Sequence, residues 1–591
     1  MCHQILSLVH NTRAKTRCGC VWVLCLVFCF GCESATPISK PVEKPSLERS
    51  SAEPLSTLRQ ENSKSGTVSN VQFEEMQEIS GLHHTYQNGE RGHLFFFESF
   101  GGGSGWLDYD RDGNWDLYLN QGGDGTQVDT SSEPLDLFFR NRGGQFEDVT
   151  KSSLIRETNY SQGVAIADFD NDGFEDIYVT NLGANTFWQN CGDGTFVEIG
   201  TIAGVADIRW SSSAAWSDLD LDGNLDLYVC NYTEYDPLHP IQCKNEKGQL
   251  IVCNPKHFEP VPDACFINQG DGTFTERSQE LGLYGPENRA LGIVAADFNR
   301  DGWVDIYVAN DASPNFLFLN DGNGHFEDKA KLLGCAVDRR GLAQASMGLG
   351  INDYDRNGFL DIYSTHFFSE SNTLYANFGE LGFQDVTGVT GLHEPTLDRL
   401  AFGTVMQDFD NDGRMDLFVA NGHVDNSGDN PNQRMRPQLF SWAGKKWIDQ
   451  SRISGNYFDG RYVGRGVSQG DIDGDGDVDL VITHQNQPTT LLRNVSPPGN
   501  WLSISFAGSK SNRSGIGCQV TLTSQGGTLY QELIGGSSYC SSHQPRLFFG
   551  IGGTSEKCDL KVRWPNGAIH LLPHIPTRQH ILINEIKDYV P

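Results

Sequence analysis

A nine-residue pattern, D-x-[DN]-x-[DN]-G-x-x-D, occurs seven times between residues 108 and 479, and it restricts the chain to architectures assembled from one repeated unit. Its acidic and amide positions 1, 3, 5 and 9 are Asp108, Asp110, Asp112 and Asp116 in the first copy and Asp168, Asp170, Asp172 and Asp176 in the second. The third and fourth copies have Asp218, Asp220, Asp222, Asp226 and then Asp297, Asn299, Asp301, Asp305. The last three have Asp353, Asp355, Asn357, Asp361, then Asp408, Asp410, Asp412, Asp416, then Asp471, Asp473, Asp475, Asp479. Position 6 is Gly in every copy. Calcium takes six to eight hard oxygens at about 2.3–2.6 Å, and alternate side chains at 1, 3 and 5 turn toward one ion. Gly at 6 permits the sharp bend and Asp at 9 closes the shell. The expectation is up to seven bound Ca²⁺, one per loop, with weaker affinity where Asn299 and Asn357 lower the charge.

An EF-hand opens with the same spacing but needs a Glu at position 12 and flanking helices. Position 12 here is Leu119, Val179, Val229, Val308, Ser364, Val419 and Ile482, so the EF-hand is rejected. A metal-free polar turn is the other alternative. It would leave seven clusters of like charges uncompensated, which costs stability or raises pKa values.

The elements around each loop also recur. A small-residue strand enters it (GVAIADF, LGIVAADF, FGTVMQDF), a second leaves it (DIYVTN, DIYVAN, DLFVAN), and a third runs through turns such as NCGDG, NQGDG and NDGNG into a fourth. Such turns need positive φ. Four-stranded antiparallel units repeated radially make an all-β, seven-bladed β-propeller. Fourth strands are marked by Phe146, Phe196, Phe274, Phe326, Phe383 and Trp447, but after the seventh loop the chain reads VSPPGNWL and that strand is missing. Val71 to Leu82 reads as a spare fourth strand ahead of the first loop, so it is expected to complete the last blade and close the ring. An open solenoid would leave it unexplained. The third blade carries an insertion, Tyr232 to Pro262. Cys230–Cys265 and Cys243–Cys253 is the preferred pairing there, although four cysteines allow three.

The N-terminus is an address. Arg13, Lys15 and Arg17 precede the apolar run Val21 to Phe30, which is too short to span a bilayer. Residues 1–31 are read as a signal peptide. Cys32 after Gly31 resembles a bacterial lipoprotein cleavage site, with ordinary secretion as the alternative. Residues 32–69, rich in Ser, Pro, Glu and Lys, read as a solvated tether, residues 70–498 as the propeller and residues 499–591 as a separate small β domain. A formal net charge of −32 argues against nucleic-acid or anionic-membrane partners, so contact with a membrane is expected only through the N-terminal lipid.

The loops with their small-residue strands resemble the FG-GAP (VCBS) repeats of the integrin α-subunit head. The tail, NWLSISFAGSKSNRSGIGCQVTL…GGSSYCSSHQPRLFFGIGG…VRWPNG, resembles an ASPIC/UnbV domain. In that order they resemble the cartilage acidic protein family and its bacterial relatives. The resemblance implies an extracellular, calcium-binding propeller protein without an established enzymatic role. A disulfide between Cys518 and Cys540, with Cys558 as competitor, is a departure from the family pattern.

Two functions compete. In the first the chain is a non-catalytic binding or adhesion module for a glycan or protein. Its ligand face would lie opposite the metal loops, around a central depression ringed by Asn310, His366, Asn421 and His484 just past the second strands. In the second it is a polysaccharide-active hydrolase or lyase using His366, His423, His484, Asp311 and Arg465 as an acid/base set. No H-E-x-x-H or Walker sequence supports the second. A purely structural surface protein is a third option.

Overall fold

The computed structural model describes residues 70–126, 135–285, 287–425, 430–553 and 555–586. The signal peptide, Cys32 and the tether lie outside the described residues. Seven four-stranded antiparallel sheets follow one another along the chain. Blade one is Ser104–Leu107, Asp116–Leu119, Leu137–Asn141 and Phe146–Asp148, and the others repeat that order. Their inner strands, rich in Gly, Ala and Ser, permit the close approach that the axis demands. Each packs against the inner strand on either side, and Ser104–Leu107 packs against Gly464–Gly470, so the ring is closed.

The seventh blade is completed by the N-terminal strand. Phe73–Glu75 pairs antiparallel with Gln487–Asn494 in the register Phe73↔Asn494. Closure in this way removes the two open sheet edges that a linear array would leave. The motif loops join the first and second strands of every blade, and all seven therefore lie on one face.

The insertion of blade three crosses the opposite face and carries a bridge between Cys243 and Cys253. Cys230 and Cys265 are free thiols, which corrects the preferred pairing. In the hairpin Tyr228 stands opposite Cys265, so Cys230 is its diagonal neighbour two residues on. Diagonal neighbours sit about 7–8 Å apart, beyond disulfide reach. Cys518, Cys540 and Cys558 are also free and buried.

Residues from 499 onward form two further sheets. Trp501–Ala507 lies between Leu547–Gly550 and, in parallel, Gln579–Asn584. The second sheet orders Gly527–Glu532, Gln519–Ser524, Lys557–Arg563 and Ile569–Pro576. This domain packs closely on the ring: Leu502, Ile504, Val520 and Trp564 share one hydrophobic cluster with Phe169, Trp216 and Phe274 of blades two and three.

The segment from Gly535 to Gln544 enters the axis of the ring and bonds to the inner strand of every blade. Gly535 exchanges both backbone bonds with Ala295 and Ser538 does so with Leu349. Val164 N–H donates to Cys540 O (3.1 Å), Ser542 N–H to Ser104 O (2.9 Å) and Gln544 N–H to Gln469 O (3.0 Å). The hydroxyls of Ser538 and Ser213 complete the set, accepting from Thr404 N–H (3.2 Å) and Cys540 N–H (3.1 Å). Inner strands of a ring have no lateral partner on the axis side, and this segment supplies one.

Candidate metal centres and the two faces of the ring

The motif loops share one geometry. The position-6 Gly N–H donates to Oδ2 of the position-1 Asp at 2.6–3.1 Å in all seven. The position-2 N–H donates to Oδ2 of the position-9 Asp at 2.9–3.2 Å. The position-9 carboxylate thus fixes the loop to the start of the second strand. Position 6 is left-handed, as the Gly predicts, but so is position 4, where Arg111, Asn171, Leu221, Arg300, Arg356 and Asn411 have φ of 56° to 61°. A left-handed residue with a side chain costs about 1–2 kcal/mol. That strain recurs because it turns positions 1, 3 and 9 toward one point.

The carboxylates do converge. Ligand oxygens lie within 4.8 Å of one another in the sets Asp108/Asp110/Asp116, Asp168/Asp170/Asp176, Asp353/Asp355/Asp361 and Asp408/Asp410/Asp416, and in loop three in Asp218/Asp220/Asp222. The side chain at position 5 has a second duty, accepting the N–H of position 7 (2.8 Å at Asp172, 2.9 Å at Asn357). Loops one, two, four, six and seven carry cationic neighbours, Arg513 standing 3.8 Å from Asp168 in loop two and Arg414 pairing with Asp412 in loop six. Arg140 pairs with Asp110 and Asp112, Arg493 with Asp473 at 2.7 Å, and Arg563 lies 3.7 Å from Asp297. In loop four the Asn299 amide donates to Asp301 (2.8 Å).

Burial opposes ionisation of the inner carboxylates, at positions 1 and 9. It lifts Asp353 to about 6, Asp168 and Asp218 to about 7 and Asp116 to about 9, with neighbouring carboxylates adding to the effect. The Oδ1 atoms of Asp108, Asp168 and Asp218 are buried and accept no hydrogen bond from the protein. A buried carboxylate oxygen without a donor is costly, and a hard divalent cation is the partner that all three members of a cluster share. The donor set therefore fits Ca²⁺. Bound there, the ion would supply positive charge and a cross-link between loop and strand.

The expected ligand ring is corrected. His366, His484, Asn310 and Asn421 are buried and bonded locally. His484 meets Tyr457 Oη at 2.9 Å and Pro488 O at 2.8 Å, and His366 meets Ser346 Oγ at 3.1 Å and Ser371 O at 3.0 Å. Asn310 donates to Pro314 O (2.8 Å) and Asn421 to Arg436 O (2.9 Å). The bonds to Pro488, Ser371, Pro314 and Arg436 close the connection between second and third strands, while Tyr457 and Ser346 lie just ahead of the first strand of the same blade. Burial pushes both imidazoles down to about 4, so they stay neutral.

The central depression is also filled. The plug occupies the axis from the loop side, and Phe96, Phe100, Trp210, Tyr232 and Phe258 form an aromatic cluster on the other side. Arg465 lies fully buried against the Phe402 ring (4.0 Å), giving its N–H groups to Ser99 O, Gly422 O and Gly464 O. Asp311 is taken by the Tyr232 hydroxyl and His423 accepts Asp425 N–H, so the candidate acid/base residues are held in separate local contacts.

One linkage escaped sequence reading. Third strands end in Asn141, Asn190, Asn268, Asn320, Asn377 and Asn494, whose backbone N–H groups donate to the position-9 Asp at 2.7–3.0 Å. Their side-chain amides reach the position-2 carbonyl of the preceding blade's loop at 2.7–3.2 Å. Asn141 does this to Ile472, latching blade one to blade seven. The N of the N-x-G turns is the signal that marks them, but the turn alone accounts for it locally.

Comparison with known proteins agrees with this architecture. The profile of the FG-GAP-like repeat matches residues 108–179, 168–229, 250–308, 297–364, 353–419 and 408–482, and that of the ASPIC and UnbV domain matches residues 508–589. Cartilage acidic protein 1 of Xenopus tropicalis is 29% identical over 315 residues, covering 51% of this chain and 46% of the relative. Cartilage acidic protein 1 of Homo sapiens is 27% identical over 482 residues, covering 78% and 59%. The chain thus spans about half the length of the relatives it matches. An Agrocybe aegerita lectin, solved for its specific recognition of non-reducing terminal N-acetylglucosamine, shares 16% identity and a TM-score of 0.37 over 66% of this chain and 86% of that one.

Proposed function

Because this chain belongs to the FG-GAP-like repeat family and ends in an ASPIC and UnbV domain, we propose that it is an exported, non-catalytic binding module held rigid by calcium. The observation that carries the calcium is the convergence of three carboxylates in loops one, two, three, five and six, with a buried position-1 oxygen that no protein group satisfies in the first three. The basic and apolar N-terminal pattern and the Cys243–Cys253 bridge support export to an oxidising compartment, with Cys32 as the lipid-bearing residue if the chain is anchored. A glycan or a protein is the ligand this reading implies.

At ten times its Kd each calcium contributes about 1.4 kcal/mol, so seven would add about 10 kcal/mol. Elemental analysis of desalted protein should find several moles of calcium per chain, and EDTA should lower the melting temperature sharply. Less than one mole per chain, together with a melting curve indifferent to EDTA, would sink the proposal.

A further inference from the structure

The amide latch is present at six of the seven blade junctions. At the junction of blades five and six the third strand, Gln438–Trp442, ends in tryptophan, so no amide reaches the Tyr354 carbonyl. The Trp442 ring instead stands edge-on to Tyr354, with centroids 4.9 Å apart and planes at 88°. The turn that follows also departs from the repeat, reading AGKK where other blades have sequences such as CGDG and QGDG. These departures coincide with a groove of about 980 Å³. Small-molecule pockets run from about 300 to 1,000 Å³.

The chemistry of the groove is mixed. Trp442 and Tyr354 give it aromatic surface, while Asp355, Asp410, Arg356 and Arg414 bring acceptors and donors from loops five and six. Gln525 and Gly552 of the C-terminal domain close it from the other side. With calcium bound, the seven aspartates of loops five and six, their two ions and the two guanidinium groups leave a net charge of about −1, a balance that does not favour an anion. A pyranose fits such a lining, because its apolar C–H face lies on an indole while its hydroxyls donate to carboxylates and accept from guanidinium groups. We propose that this groove binds a neutral saccharide chain, with the Trp442 indole as its stacking platform. The inference rests on the binding-module reading and gives it a place and a ligand class.

The test uses the full chain in calcium, titrated by calorimetry with cellopentaose, xylopentaose, mannopentaose and maltopentaose, and in parallel with tetragalacturonate and a polyglutamate peptide. At least one neutral sugar should bind, with affinity reduced about tenfold or more by Trp442→Ala and largely kept by Trp442→Phe. Gln525 is exposed, so Gln525→Trp should obstruct the groove without disturbing the core, and it serves if Trp442→Ala fails to fold. The proposal is overturned if no neutral sugar binds, if only the acidic ligands bind, or if the variants leave affinity unchanged. A ligand found by glycan array or pull-down and indifferent to both variants would remove the groove but leave the binding-module reading standing. Absence of any ligand would remove both.

Discussion

If the amide latches couple the blades through their metal loops, removing one should be felt by the whole ring. Asn377 is the clearest case. It is 1% exposed, and its Nδ2 donates to Phe298 O at 2.9 Å and Leu360 O at 3.1 Å while its Oδ1 accepts Gly379 N–H at 2.9 Å. Asn377→Ala leaves buried carbonyls of two blades without this donor, and each buried group so orphaned costs about 1–3 kcal/mol. About 3 kcal/mol in total is a fair expectation. With an unfolding entropy of ~2.1 cal/mol/K per residue over roughly 500 residues, that corresponds to a fall of about 3 °C in Tm. Phe298 adjoins Asp297, so the variant should also need more calcium to reach half its thermal stabilisation. Asn323→Ala is the control, since Asn323 lies exposed in the matching turn of the neighbouring blade and its side-chain amide donates to Asp321 O (3.1 Å) within that turn. It should change stability by less than about 0.5 kcal/mol. Differential scanning calorimetry at fixed scan rate, with and without calcium, gives both readouts. An Asn377→Ala protein melting within about 1 °C of the parent would refute the coupling.

Two further outcomes follow from the same geometry. Without metal, Asp353, Asp168 and Asp218 keep protons in the folded state up to about 6 or 7 that the unfolded chain loses near its ordinary carboxylate pKa of about 3.9. Stability in EDTA should therefore fall as pH rises from about 4 to 7, and go on falling toward pH 9 as Asp116 ionises. Calcium binds the ionised form, so the Tm gap between calcium and EDTA should widen between about pH 5 and 7.5; a gap that narrows contradicts the site. Ser538 has φ of 56°, which proline cannot adopt, so Ser538→Pro should break the plug where it meets Leu349 and Thr404. Hydrogen exchange at the Leu349 and Val164 amides should accelerate markedly, and unchanged protection there would show that the plug does not support the inner strands.

Much of this protein is local in origin and was therefore legible in the chain. The seven loops, the blade-three insertion and the displaced first strand all announce themselves through spacing, because turn geometry and strand alternation act over a few residues. Phe73–Glu75 was traceable to blade seven only because the other six blades supplied a pattern with one member absent. The readings that failed depended on what stands beside a residue in space. Asn310, His366, Asn421 and His484 share a position in the repeat, and a repeat position does not reveal whether it faces solvent or a neighbouring strand. The Cys230–Cys265 pairing failed by one diagonal step of register, which no spacing argument resolves.

The sequence by itself determined the repeat, the closure of the ring and the candidate metal ligands, since each depends on contacts within one unit or on counting units. Tertiary structure decided that the C-terminal domain threads the axis, that the recurring turn asparagines latch blade to blade, and that one junction lacks its latch and opens a groove. These are contacts between residues as far apart as Asn141 and Ile472 or Gly535 and Ala295. Their partners are chosen by the curvature of the closed ring rather than by any pattern along the chain.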